Sequence, residues 1–153
     1  MRSSLRFLAL SVAIAMCGCA GIKTPPPPPP PPPPPRDHPN AVSLQVQGGA
    51  AYSCTFSGGD DGHGKVIVAR AEGDVNIHLN LTSANFVIYS LSFKDDNGQL
   101  RYRLENHDTN AVIHDDNSGN MDAYYGVLVA DLGTNPDPNQ ATKFLCDPRI
   151  VNN

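Results

Sequence analysis

Four cysteines, five histidines and three adjacent carboxylate pairs are the side chains of this 153-residue chain best suited to chemistry. The cysteines fall into two sets. Cys17 and Cys19 are separated by a single glycine, a C-x-C spacing that does not match a C-x-x-C redox site. Cys54 and Cys146 each sit in a stretch of alternating apolar residues, YSCTF (52–56) and TKFLC (142–146). In an exported protein two such cysteines predict a disulfide. The enclosed loop of roughly 90 residues would give about 4–5 kcal/mol in the chain-entropy model. The carboxylate pairs Asp60/Asp61, Asp95/Asp96 and Asp115/Asp116 all lie among turn residues. Glycoside chemistry needs two carboxylates across a cleft, one in an apolar setting, and adjacent acids in a solvated turn meet neither condition. Ser53 and Ser57 flank Cys54 without a G-x-S-x-G elbow or an ordered Ser/His/Asp set. The expectation is a protein that is not an enzyme.

Metal chemistry reduces to one alternative. GGDDGHG (58–64), DDNSGN (115–120) and NPDPN (135–139) concentrate hard oxygen ligands in loops, as calcium prefers. None has the regular spacing of an EF-hand loop, so a calcium site would have to be assembled from several loops. The histidines (His63, His78, His107, His114) lack H-x₃-H spacing, which disfavours zinc. No cofactor is expected, with calcium carried as the alternative.

The elements around these residues divide the chain into three. Arg2 and Arg6 precede an apolar run of ten, Phe7–Met16, followed by small residues at Gly18 and Ala20. Ten residues rise about 15 Å as a helix, half of a bilayer core, so the run reads as a secretory signal and not as a membrane span. The cysteine that follows it resembles the lipobox of bacterial lipoproteins, in which small residues precede a cysteine that is lipidated and becomes the mature N-terminus. Cleavage before Cys19 puts Gly18 at the preceding position, which fits that pattern. Cleavage before Cys17, the alternative, puts the larger Met16 there. The resemblance implies residues 1–18 as signal peptide and a lipid (palmitate) anchor on Cys19. Ala20 after it, in place of Asp, implies the outer membrane, with the rest of the chain in the periplasm or at the cell surface.

Residues 19–39 then contain eleven consecutive prolines, Pro25–Pro35. With φ fixed and no N–H to donate, this run cannot enter a helix or sheet. As polyproline II it would reach about 34 Å, which makes it a spacer in preference to a P-x-x-P ligand.

Residues 40–153 are long enough to bury a core. Period-two alternation predicts nine strands: 41–47, 52–56, 65–71, 74–81, 86–93, 99–104, 111–114, 124–132 and 142–146. Asp96-Asn97-Gly98 is the strongest hairpin signal and predicts 86–94 and 99–105 as antiparallel neighbours. No long stretch keeps a helical period. The expected fold is an all-β, antiparallel Greek-key sandwich of about seven to nine strands. The ending YYGVLVADL…KFLCDPRIVNN resembles the C-terminal hairpin of bacterial cupredoxin-like and immunoglobulin-like domains, a likeness that also implies a Greek-key sandwich.

Seven basic against fourteen acidic side chains give residues 40–153 a net charge of −7, compared with −4 for the whole chain. That excludes the basic footprint of a nucleic-acid binder. The lipobox-like start, the small β-domain, the early Y-S-C and the late cysteine together resemble the general layout of membrane-bound lysozyme inhibitors. That family carries a Ser-Gly-x-x-Tyr loop; Ser118-Gly119 is present here, but Asp122 holds the tyrosine position. The leading expectation is therefore a non-enzymatic lipoprotein presenting a binding module to an envelope protein or peptidoglycan-related partner. Loops 58–64, 115–125 and 134–140, with Tyr124 and Tyr125, are the candidate contacts. An inhibitor or immunity protein against a cell-wall hydrolase is the alternative.

Overall fold

Alternation becomes two stacked sheets in the computed structural model, which describes residues 27–32 and 34–152. Cys17, Cys19 and the signal segment lie outside the described residues. Residues 27–32 belong to a unit of their own, 1–32, and are exposed and in neither strand nor helix. The second unit, 33–153, is the sandwich.

The first sheet contains β1 (Arg36–Asp37), β2 (Val42–Gln47), β3 (Ser53–Gly58), β5 (Val75–Leu81), β7 (Leu100–Glu105) and β8 (Asn110–Asp115). Its order is β3-β2-β5-β8-β7, with β1 beside β5. The second contains β4 (Val66–Val68), β6 (Phe86–Lys94), β9 (Met121–Asp131), β10 (Thr142–Cys146) and β11 (Arg149–Asn152). There β9 is central: β10 and β11 lie along one edge of it, β6 along the other, and β4 follows β11. A single 3₁₀ turn, Arg70–Glu72, is the only helical segment among the described residues. Eleven strands replace the expected nine, the additions being the short β1 and β11.

The core is what the period of two demands. Val42, Leu44 and Val46 of β2, Val75, Ile77 and Leu79 of β5, and Ala123, Val127 and Val129 of β9 point inward and are buried. The intervening Asn76, His78 and Asn80 face outward, because successive side chains leave a strand on opposite sides. Fully burying such a Val, Leu or Ile is worth about 1.5–3 kcal/mol. β8 returns antiparallel beside β5, while their successors β9 and β6 pair in the other sheet, a Greek-key return spread over two layers. Three pairs are parallel: β1·β5, β2·β5 and β11·β4.

Two expectations are corrected. Asp96-Asn97-Gly98 does not close a hairpin, since β6 pairs with β9 in one sheet and β7 with β8 in the other. Asp95 already turns at φ 61°, ahead of Asn97 at 51° and Gly98 at 76°, so the chain leaves the plane of β6 before a two-residue turn can form. The segment crosses between sheets, and Phe93 and Tyr102 on its flanks meet edge to face at 6.1 Å. Pairing also starts before residue 40. Arg36–Asp37 runs parallel to Val75–Asn76, and buried His38 places Nε2 3.1 Å from the Ile67 carbonyl in the opposite sheet. Asn40 N–H donates to Nδ1, so the ring carries its hydrogen on Nε2.

Cys54 of β3 and Cys146 of β10 form a disulfide with Cα atoms 5.8 Å apart, tying an edge of one sheet to an edge of the other. Beside it Tyr52 stacks on Phe144 at 4.1 Å, and Phe144 meets Phe86 edge-on at 6.0 Å.

Candidate functional site

Strand parity builds one concave surface on the outside of the second sheet. Cys146 and Tyr125 face inward, so Leu145, Asp147, Tyr124 and Gly126 face outward. Register then sorts them into rows across β6, β9 and β10. Ser90, Leu128 and Leu145 form one row, and Lys94 and Tyr124 begin another. Between them Ser92 pairs with Gly126, whose other side faces Asp147. The central row is thus floored by a residue without a side chain. A Cβ at Gly126 would lie 2.8 Å from Ser92 Oγ and 3.0 Å from Leu145 Cδ1. The trough has Tyr124, 47% exposed, on one side and Leu145, 54% exposed, on the other.

β10 and β11 keep a single register along β9, interrupted at Asp147–Pro148. Pro148 has no N–H for the ladder, but its carbonyl accepts the Tyr125 N–H at 3.3 Å. That break leaves the Asp147 side chain exposed at the groove.

The remaining wall is the β3–β4 loop, which brings Asp61, His63 and Lys65. Asp61 Oδ1 accepts the N–H of His63 at 2.7 Å and of Lys65 at 3.1 Å. The His63 amide, opposed in part by desolvation and aided by the Lys65 amide, holds its carboxyl below the usual carboxylate range. Asp60 Oδ2 accepts the Ile67 N–H at 2.6 Å, and Tyr125 OH donates to the Gly64 carbonyl at 2.9 Å. Burial first, and the Asp61 charge second, push the Tyr125 hydroxyl well above its usual range, so it stays a donor. The result is a groove of about 970 Å³, within the size range of small-molecule sites.

Of the sequence-predicted residues, Tyr124 stands in this groove. Tyr125 does not: it is 0% exposed, edge-on to Phe56 at 6.3 Å in the core, and cannot be a partner contact. The expected contact loops also part company. Loop 58–64 forms a groove wall, whereas 115–120 packs on 69–73, with Asn117 Nδ2 donating to the Ala69 and Gly73 carbonyls. Loop 134–140 lies beyond the Asp131 end of β9, away from Tyr124, where Asn139 accepts from Tyr89 OH.

The acidic loops use their oxygens locally. Asp115, Asp116, Asp131, Asn135 and Asp137 each accept the N–H two residues on, as Asp61 does. Among the described residues no three His, Cys, Asp or Glu side chains gather as metal ligands. Ser92, Lys94, Gly126, Leu145 and Asp147 were not picked out from sequence. A signal existed for Leu145: once Cys146 is read as a core disulfide residue, its neighbour must point outward. No protein-family model matches this chain, and no curated protein does.

Proposed function

We propose that this chain is a non-enzymatic lipoprotein of the bacterial envelope, and that the groove at Tyr124 is the ligand-binding face of its sandwich. Cys19 anchors it to the outer membrane and the proline run holds the sandwich away from the lipid surface. The groove carries the reading. An aromatic ring and a leucine are kept at the surface around a glycine floor, and the adjoining loop is braced by backbone and tyrosine hydrogen bonds. Exposed aromatic groups within a polar rim are what a recognition surface needs. The outward oxygens and nitrogens belong to turns and rim residues, an arrangement suited to holding a ligand rather than to activating one.

The test is retention of envelope components, including intact cell-wall sacculi, by the immobilised protein. Wild type is expected to retain a component that Tyr124→Ala loses. If no component is retained, or if Tyr124→Ala retains it equally, the assignment of this face is wrong.

A further inference from the structure

Resting on that assignment of the groove, we propose that its ligand is a saccharide. The polar rim offers both halves of a hydroxyl's hydrogen bonding. Asp61 and Asp147 accept, Lys65 and Lys94 donate, and Ser92 does either. Two lysines against two aspartates leave the rim balanced, although the domain as a whole is strongly acidic. A balanced rim suits an uncharged, hydroxyl-rich molecule better than a nucleic acid, which requires a cationic surface. Tyr124 supplies an exposed aromatic ring onto which the C–H face of a sugar can pack, and Leu145 lines the opposite side.

An extended peptide fits less well. Peptides that add to sheets do so through unpaired backbone groups at an edge. Here β9 is paired on both sides, with β6 along one edge and β10 and β11 along the other, and at the groove the open edges belong to β6 and β10. An added strand would therefore lie beside the groove and not on its Gly126 floor. An acyl chain would need a closed apolar cavity, and this groove is open and about half polar in its lining residues.

The full chain, held in a sugar-free zwitterionic detergent, is titrated calorimetrically with three probes: triacetylchitotriose, cellotriose and maltotriose. At least one is expected to bind with a dissociation constant of about 1 mM or tighter. Tyr124→Ala should weaken it by about tenfold or more, and Tyr124→Phe by no more than about threefold, because the ring and not the hydroxyl makes the packing contact. Tyr89→Ala, which removes an exposed tyrosine that lies outside the groove, should change nothing. Circular dichroism and denaturation midpoints of each variant separate lost binding from lost folding. Should no probe bind, or should binding survive Tyr124→Ala in a folded protein, the saccharide inference is overturned. Tyr124-dependent retention of an envelope component alongside that result would leave the groove as a binding face for another ligand class. Loss of both would remove the groove's role altogether.

Discussion

The Tyr125 hydroxyl donates a 2.9 Å hydrogen bond to the Gly64 carbonyl, joining the centre of one sheet's longest strand to the loop that walls the groove. Its sequence neighbour, Tyr124, projects from the opposite side of the same strand into the groove itself. The two tyrosines therefore take separate places, one bracing the groove from behind and one facing into it.

Tyr125→Phe keeps the ring in the core and deletes the bond. The Gly64 carbonyl then loses its buried donor, a cost of about 1–3 kcal/mol. The expected result is a lower urea midpoint with an unchanged slope, together with faster amide exchange at Gly64 and Lys65. Unchanged exchange there would mean that the bond does not hold the loop.

Gly64→Ala attacks the same loop through the backbone. Gly64 sits at φ +88°, and a Cβ would lie 2.8 Å from Phe56 Cβ. Both the left-handed conformation and the contact disfavour a side chain, so destabilisation of about 1–3 kcal/mol is expected. Gly62, also at positive φ but with nothing within 4 Å, provides a control that feels the backbone penalty alone. Thermal denaturation should rank Gly64→Ala below Gly62→Ala.

Replacing Cys54 and Cys146 together by alanine opens a 92-residue separation in the unfolded chain. The chain-entropy model gives a loss of about 4–5 kcal/mol. Denaturant titrations with and without reductant should differ for the wild type and coincide for the double variant.

Acid should loosen the groove wall before it unfolds the core. The Asp61 carboxyl is depressed by the His63 and Lys65 amides, so its contribution is complete above the ordinary carboxylate range. It is lost as pH falls below about 4 and through the lower folded-state value. In an NMR titration the His63 and Lys65 amides should shift together in that acid window. Asp61→Asn, which keeps an acceptor oxygen but has no proton to take up, should abolish the shared transition.

The anchor has its own test. Radiolabelled palmitate should be incorporated by the wild type in cells and lost from Cys19→Ser. Loss from Cys17→Ser in its place would move the attachment site, and indifference to both would remove the lipid anchor.

Much of this architecture could be read locally. β5 announces itself through Val75, Ile77, Leu79 and Leu81 against Asn76, His78 and Asn80, and all seven residues of VNIHLNL fall where alternation puts them. Tyr124 and Tyr125 had to face opposite ways, although their parity was assignable only once the register with β6 was known. The Asp96-Asn97-Gly98 signal misled because turn chemistry reports that a chain reverses, and is silent on whether its arms pair with each other. Here the long β9 offers β6 a full-length partner, and β7 finds β8 instead.

Composition and period thus suffice for a two-layer β protein with a cystine pair, because burying alternate apolar side chains is a local demand repeated strand by strand. The groove belongs to the tertiary structure. Ser92, Gly126 and Asp147 lie in three separate stretches of sequence and become neighbours only through long-range strand pairing. Pairing is chosen by how whole strands bury one another, a property that no single segment carries.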